Sequence, residues 1–289
     1  MEESFFATVM LPIALAVIIV SLGLSLTPAD FRRVLVFPKG VSIGLVNLLV
    51  ISPLLAFTVA ELYGLAPALA VGLVLLGASP GGVMANMLTH LARGDTPLSI
   101  TMTAISSVAA VLTVPLFLEL ATQRFDVPGL DDDVNMPGIV ARVLVIIVVP
   151  LAVGIYLRHR SPARVIAVEP RVKRIALAVF FAVVLGAVIS EAERVLDNLA
   201  EVAAAAVTLN VAAMSIGYAI SRTARLDDRQ ATAIGIELSI HNTALAIAVG
   251  ASISTELTIP AAVYSAFMFV TAGLFARAMY RRNGVAETA

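Results

Sequence analysis

Long apolar runs alternate with short polar segments along the whole chain. Nine of these runs are long enough, at about 20 residues, to cross the hydrocarbon core of a bilayer as a helix. They cover approximately residues 4–25, 39–60, 65–90, 96–122, 137–157, 172–190, 199–221, 230–252 and 258–280. Because the connections are short, the pattern predicts one all-α, polytopic membrane domain over residues 1–289 with about nine transmembrane helices.

The charged residues between these runs alternate in sign from one connection to the next. Acidic residues such as Glu61 and the run "DDD" at 131–133 lie in every second connection, and we interpret that run as a solvated loop. The other connections and the C-terminus are basic, with Arg32, Arg33, Lys39, Arg93, Arg158, Arg160, Arg164, Arg171, Lys173, Arg174, Arg222, Arg225, Arg229, Arg277, Arg281 and Arg282. Since short cytoplasmic loops are enriched in Lys and Arg, this pattern predicts an outside N-terminus and a cytoplasmic C-terminus in a bacterial inner membrane.

The composition agrees with a membrane protein and excludes several other classes. Hydrophobic residues make up 60% of the chain, charged residues only 13%, and the mean hydropathy is +0.98. A soluble domain is less apolar and carries about 25% charged residues. The absence of cysteine excludes disulfides and thiolate chemistry. The net charge of −1 gives no indication of a nucleic-acid partner, so the basic segment "RHRSPARVIAVEPRVKR" is interpreted as a cytoplasmic connection.

The third apolar run is interrupted at its centre by "SPGG". Pro80 lacks a backbone N–H, and Gly81 and Gly82 add conformational freedom, so a continuous helix is disfavoured here. Irregular backbone at membrane depth is tolerated where it lines a cavity or is buried in protein. The exposed ends of half-helices can bind ions, because the N-terminal end favours anions and freed carbonyls favour cations. We therefore predict a functional break.

The eighth run is polar where the third is broken. It carries Glu237, His241, Asn242 and Thr243, although no Pro or Gly at its centre demands a break. A carboxylate at the bilayer centre costs roughly 2.5–3.5 kcal/mol on insertion scales, so it normally faces the protein interior and a partner. On an intact helix Glu237 and His241 would share one face, because they are four residues apart.

The third and eighth runs occupy corresponding places in two triplets of runs, two to four and seven to nine. Each carries a central asparagine, Asn86 or Asn242, and the odd offset between the triplets gives them opposite orientations. This placement predicts an inverted repeat with a binding site at the membrane midplane.

The fourth run contributes hydroxyl groups to the same region. Ser99 and Thr103 are four residues apart and share a helix face, although either hydroxyl alone could bond back to a helix carbonyl. With Asn86 and Glu237 they offer hard oxygen ligands and one negative charge, a set that suits Na⁺.

An anionic substrate is expected at the starts of the half-helices. Backbone N–H groups near Val83 and Met84 would face its carboxylate, together with the side chains of Asn242 and Thr243. The two spans contain no Lys or Arg that could bind the anion instead.

Three motifs, "GLSLTPADF", "GASPGGVMANMLTHLARGDTPLSITMT" and "IELSIHNTAL", resemble the bile acid:sodium symporter family, in order over about residues 20–275. The resemblance implies a panel domain and a core domain, with two broken helices that cross in the core, in a nine-span form. The panel would contain the spans at 4–25, 137–157 and 172–190. The core would contain the spans at 39–60, 65–90, 96–122, 199–221, 230–252 and 258–280.

The resemblance also implies sodium ligands. One site would use Asn86, Ser99, Thr103 and Glu237, with Ala85 where sodium-coupled members usually have Ser. A second site would use Glu237, the backbone carbonyls of Leu238 and Ile240, and His241 in place of a Gln, with Leu48 at another Gln position. These replacements predict one bound Na⁺ and a weak or absent second site. Asn242 matches a polar position near the crossing, and Asn210 matches one in the seventh span.

These observations predict a secondary transporter that moves a small organic anion together with Na⁺ by alternating access. The first alternative is a proton-coupled transporter that uses Glu237 and His241. An intramembrane enzyme is disfavoured because no nucleophile–base pair or metal-ligand spacing is present. A non-transporting scaffold would not need intramembrane carboxylates. The sequence indicates no obligate protein partner.

Overall fold

The computed structural model describes residues 11–27, 32–35, 38–127, 136–190 and 199–285, and these are nearly all helical. The acidic run at 131–133 and the first residues of the first apolar run lie outside the described residues. The helices are α1 (Leu11–Ser25), α2 (Pro38–Leu62), α3 (Pro67–Gly77), α4 (Val83–Leu91), α5 (Thr96–Phe125), α6 (Met136–Arg160), α7 (Pro162–Ser190), α8 (Leu199–Thr223), α9 (Asp228–Ser239), α10 (Thr243–Ala251) and α11 (Ile259–Val285).

Each of the nine predicted apolar runs corresponds to helix over its described residues, and two of the runs are split into a pair. The third run forms α3 and α4, and the eighth forms α9 and α10. By length and composition, four of the described helices can cross a membrane, namely Pro38–Leu62, Thr96–Phe125, Ala200–Thr223 and Thr255–Gly284. The all-helical membrane class is thereby confirmed, whereas the count of nine spans stays a prediction.

The predicted cytoplasmic connection at 158–174 is helical rather than an irregular loop. Helix α6 continues to Arg160, and α7 begins at Pro162, ten residues before the predicted start of that span. A proline at the first position of a helix has no unsatisfied N–H and is preorganised for the helix, which explains the early start. Arg158 pairs with Glu169 of α7 at 3.0 Å and joins the two helices across the short turn.

Helix α2 contains a wider, π-helical turn at Asn47–Ile51. The Ser52 N–H donates to the Asn47 carbonyl, five residues earlier, immediately before Pro53. Such turns often occur at functional sites. Ser52 is fully buried, and its hydroxyl donates to the carbonyl of Gly77, the last residue of α3, at 2.9 Å.

Helices α1, α6 and α7 pack on one another, and the remaining helices form the surroundings of the two split pairs. The contact between α1 and α6 is close because Gly23 and Gly154 face each other. A Cβ atom on Gly154 would lie 2.5 Å from the Val20 carbonyl oxygen and 2.8 Å from the Gly23 Cα, both of which are backbone atoms. Neither glycine can therefore be replaced without separating the helices.

We predict that Gly154→Ala lowers the thermal stability of the protein in detergent, whereas Gly273→Ala leaves it unchanged or raises it. The added methyl group at 154 meets backbone that cannot rotate away, and overpacking of this kind costs about 1–3 kcal/mol. At Gly273 a Cβ atom meets nothing within 4 Å. Melting curves of the two variants measure the difference. Equal stability would show that α1 and α6 are not in close contact.

Candidate ion and substrate site

The two split helix pairs are interrupted at the same place in the molecule. Between α3 and α4 the irregular residues are 78–82, and between α9 and α10 they are 240–242. The Gly82 N–H donates to the Ile240 carbonyl at 2.7 Å, and the Asn242 N–H donates to the Pro80 carbonyl at 2.8 Å. The two breaks therefore cross and satisfy each other's backbone groups, as buried backbone requires.

The two breaks have different local causes. The first contains Pro80 and two glycines, as predicted. The second has no such signal, and it arises where α9 ends at Ser239 and α10 starts after Asn242. The Asn242 side chain accepts a hydrogen bond from the Leu245 N–H at 3.1 Å, which is the bond of an N-cap asparagine. The pair Asn242–Thr243 was the available sequence signal for this start.

Glu237 lies at the end of α9 and is completely buried. One carboxylate oxygen, Oε2, accepts from the Ser99 hydroxyl at 2.7 Å. The other, Oε1, accepts from the Thr103 hydroxyl at 2.5 Å. Among the described residues no Lys, Arg or His forms an ion pair with it. A buried carboxylate without a cation is costly, so the site is electrostatically incomplete on its own.

Around this carboxylate there are more acceptor oxygens than hydroxyl hydrogens to bind them. The side-chain carbonyl of Asn86 lies 2.8 Å from the Ser99 hydroxyl and 3.2 Å from the Thr103 hydroxyl. Each hydroxyl therefore has one hydrogen but lies within bonding distance of both the amide oxygen and the carboxylate. This surplus of oxygen lone pairs beside one negative charge suits a hard cation.

The first break approaches the carboxylate closely. A Cβ atom on Gly81 would overlap Oε1 of Glu237, so only glycine fits at this position. The Gly81 N–H donates to the Ser106 hydroxyl at 3.3 Å. Ser106 was not predicted as a site residue, although it lies seven residues after Ser99 and three after Thr103 and thus on the same face of α5.

The structure brings Asn86, Ser99, Thr103 and Glu237 together, but it gives His241 other partners. Because α9 ends at Ser239, Glu237 and His241 are not on one helix, and the described residues contain no hydrogen bond between them. The imidazole instead lies between Ser52, whose Oγ is 2.9 Å from Nε2, and Tyr264, whose OH is 3.2 Å from Nδ1. The helix is not intact between Glu237 and His241, so the two residues do not share a helix face.

The other residues of the predicted second sodium site either accept a backbone hydrogen bond or pack in an apolar cluster. The Ile240 carbonyl accepts the Gly82 N–H. The Leu238 side chain is fully buried in an apolar cluster that also contains Leu48.

The predicted substrate residues lie at the two breaks. Val83 is the first residue of α4 and Thr243 the first of α10, and Met84 and Asn242 are partly exposed. Asn210 is fully buried and donates to the Ser239 carbonyl, the last of α9, at 2.7 Å. It thus supports the end of a broken helix, and a contact with substrate stays a prediction for all five residues.

Comparison with known proteins identifies the family to which this architecture belongs. Residues 12–198, more than half of the chain, match the model of the sodium bile acid symporter family. The chain belongs to this family. The family is one of symporters, and the relatives below are named as transporters rather than enzymes.

Relatives occur in plants, bacteria and animals. The chain is 32% identical over 237 residues to the probable sodium/metabolite cotransporter BASS1, chloroplastic, of Arabidopsis thaliana, which covers 81% of this chain and 57% of that protein. It is 26% identical over 268 residues to the uncharacterized sodium-dependent transporter YocS of Bacillus subtilis (strain 168), and the match covers 91% of this chain and 81% of that protein. It is 28% identical over 281 residues to the ileal sodium/bile acid cotransporter of Oryctolagus cuniculus, covering 94% and 79%. The chain spans about three fifths of the length of the plant relatives it matches.

We predict that Ser106→Ala destabilises the protein more than Ser107→Ala does. Ser106 accepts the buried Gly81 N–H, whereas the described bond of Ser107 is a donation to the Thr103 carbonyl of its own helix. A buried donor without a partner costs about 1–3 kcal/mol. Thermal melting of the two purified variants measures the difference, and equal melting temperatures would contradict a supporting role for Ser106.

Proposed function

We propose that the protein is a secondary transporter that couples the movement of a small organic anion to Na⁺ by alternating access. One observation carries the proposal: Glu237 is a fully buried carboxylate whose described contacts are neutral oxygen donors rather than a cation. Membership of the sodium bile acid symporter family and similarity to relatives named as sodium-dependent transporters support the choice of ion.

The proposed sodium site consists of Asn86, Ser99, Thr103 and Glu237. A single Na⁺ would neutralise the single carboxylate. The oxygens of Asn86 and Glu237, which compete for two hydroxyl hydrogens, would gain the cation as a partner. The ligands come from α4, α5 and α9, so a bound ion would join both broken helix pairs to α5. This arrangement supports a coupling role, because ion binding would stabilise one arrangement of the crossing.

We propose one sodium site rather than two. At the second family site Leu48 packs in an apolar cluster, and both ring nitrogens of His241 lie within bonding distance of protein hydroxyls. Leu238 and Ile240 would contribute only backbone carbonyls. The proton-coupled alternative needs cooperation between Glu237 and His241, and their separate partners do not favour it.

The proposed substrate carboxylate lies at the starts of α4 and α10. The first N–H groups of a helix have no partner within the helix, and the helix dipole favours negative charge there. Val83 and Met84 would contribute backbone N–H groups, and Asn242 and Thr243 would contribute side chains. Asn210 would support the site indirectly, through its hydrogen bond to the Ser239 carbonyl.

The finer architecture is also part of the proposal. We propose nine spans, an inverted repeat, a panel of α1, α6 and α7, and a core of the other helices in a bacterial inner membrane. The mutual packing of α1, α6 and α7 and the paired breaks support this division. The loop charges support an outside N-terminus and a cytoplasmic C-terminus.

We predict that Na⁺ raises the melting temperature of the native protein and that Glu237→Gln abolishes this effect. The substitution keeps the shape of the side chain but removes the charge that would neutralise the ion. A ligand that binds only the folded state stabilises it by about 2.7 kcal/mol at 100 times its dissociation constant. Melting curves in NaCl and in choline chloride at equal ionic strength measure the shift.

Asn242→Ala is the matched control for this experiment. It removes a polar side chain from the same crossing but not a proposed sodium ligand. We expect it to retain the sodium shift and to weaken the binding of a carboxylate selected from a panel of organic anions in NaCl. A sodium shift that persists in Glu237→Gln would contradict the proposed ion site, and loss of the shift in Asn242→Ala would make Asn242 a cation ligand.

We predict opposite membrane sides for Gln123 and Arg164, both of which are exposed. The chain contains no cysteine, so single-cysteine variants can be labelled without background. A membrane-impermeant maleimide added to intact cells should label Gln123→Cys at once and Arg164→Cys only after the membrane is permeabilised. Labelling of Arg164→Cys in intact cells would contradict the orientation.

A further inference from the structure

Each broken helix pair leaves a carbonyl at the end of its first half, and a hydroxyl from a neighbouring helix lies within hydrogen-bonding distance of it. At the end of α3, the Gly77 carbonyl accepts from the Ser52 hydroxyl at 2.9 Å. At the end of α9, the Ser239 carbonyl accepts from Asn210 at 2.7 Å, and the Tyr264 hydroxyl lies within hydrogen-bonding distance of the same carbonyl at 2.9 Å. The end of each first half therefore lies beside a hydroxyl, from α2 in one pair and from α11 in the other.

His241 joins these two hydroxyls. Its Nε2 lies 2.9 Å from Ser52 Oγ and its Nδ1 lies 3.2 Å from the Tyr264 OH. The imidazole stands edge-on to the tyrosine ring, with an angle of 77° between the ring planes and 5.8 Å between the centroids. Ser52, His241 and Tyr264 are all at least 99% buried, so water does not compete for these bonds.

We propose that His241 is a positioning residue that clamps the ends of both broken helices. It belongs to the second break and reaches α2 through Ser52 and α11 through Tyr264. The clamp sets the relative position of α4, which carries Asn86, and α9, which carries Glu237. The consequence for ion binding rests on the function proposed above, whereas the clamp itself does not.

The three side chains of the clamp, Ser52, His241 and Tyr264, share three hydrogens when the imidazole is neutral. This number favours one tautomer of His241. Among the described residues, the side-chain hydrogen bond to the Gly77 carbonyl comes from Ser52. The Ser239 carbonyl still accepts from Asn210 when the Tyr264 hydroxyl donates elsewhere. The least costly arrangement has Ser52 donating to Gly77, Nε2–H donating to Ser52, and Tyr264 donating to Nδ1. We therefore expect the tautomer that carries its hydrogen on Nε2.

The clamp is connected to the proposed ion site through a short length of backbone. Glu237 is two residues before Ser239, whose carbonyl is part of the clamp. From the first break, Gly81 packs against the carboxylate of Glu237. Between the breaks the described backbone hydrogen bonds are Gly82 N–H to Ile240 and Asn242 N–H to Pro80. Loss of the clamp leaves these two bonds to hold the register of the crossing, so the oxygen ligands on α4 and α9 become less well positioned.

Two substitutions separate the arms of the clamp. The amide of asparagine can occupy the place of Nδ1, and the longer glutamine can place its amide near Nε2. His241→Asn should therefore keep the contact with Tyr264 and lose the one with Ser52, and His241→Gln should do the reverse. Adding Ser52→Ala should have a smaller effect in His241→Asn, where only the bond to the Gly77 carbonyl remains to be lost, than in His241→Gln, where the contact with residue 241 is lost as well.

The first measurement is the Na⁺ concentration that produces half of the sodium-dependent shift in melting temperature. We expect it to rise about 3- to 10-fold in His241→Asn and in Ser52→Ala, the range that corresponds to one lost hydrogen bond. Ser221→Ala is the control, because Ser221 is a buried serine that donates to a carbonyl of its own helix at 2.6 Å, away from the breaks. It should leave the half-saturating concentration unchanged, even if it lowers the melting temperature itself.

The second measurement, hydrogen exchange followed by mass spectrometry, does not depend on sodium. We expect peptides that contain Gly82 and Asn242 to exchange at least about 10-fold faster in His241→Asn and His241→Gln than in the native protein or Ser221→Ala. Unchanged exchange in both His241 variants would overturn the clamp, whether or not Na⁺ binds. Faster exchange with an unchanged half-saturating concentration would overturn the link to the ion site. Faster exchange in a protein that shows no native sodium shift would support the clamp and contradict the proposed function.

The tautomer tests the clamp without any variant. The chain has three histidines, so the ¹⁵N signals of selectively labelled protein are few enough to assign. We expect His241 to show a protonated Nε2 and an unprotonated Nδ1, in contrast to an average of both forms for a freely exposed ring. Averaged signals for His241 would overturn the proposed hydrogen-bond arrangement.

Discussion

The structure around the crossing depends on one buried charge. Glu237 has no exposed surface, and its described partners, Ser99 and Thr103, can donate only one hydrogen each. A carboxylate in this position costs several kcal/mol unless a cation compensates it. The placement of Asn86 on the same two hydroxyls and the close approach of Gly81 are both explained if the site exists to hold that cation.

The need to satisfy backbone groups explains why the two breaks cross. A broken helix at membrane depth exposes N–H and C=O groups that lipid cannot bind. Here the N–H groups of Gly82 and Asn242 use carbonyls of the opposite break, and the carbonyls of Gly77 and Ser239 use side chains from neighbouring helices. The backbone is therefore satisfied only when both breaks are present, which makes the two pairs a single structural unit.

His241 has contacts other than those that the family resemblance implies for its position. A side chain expected beside a cation instead has both ring nitrogens near protein hydroxyls. The structure places His241 in the second break. Its partners could not be read from the sequence, because Ser52 lies 189 residues away and Tyr264 lies 23 residues away on another helix.

The helical membrane class and the positions of the apolar runs could be predicted from the residues alone. So could the break at Pro80 and the grouping of Asn86, Ser99, Thr103 and Glu237. These follow from local properties: hydropathy, the missing N–H of proline and the cost of an intramembrane carboxylate. The three-dimensional structure was needed to show that α9 ends at Ser239, that Ser106 accepts the Gly81 N–H and that His241 lies beside Ser52 and Tyr264 rather than Glu237. Each of these depends on which helices are neighbours, and hydrogen bonds between distant segments leave no pattern in the residues of either segment alone.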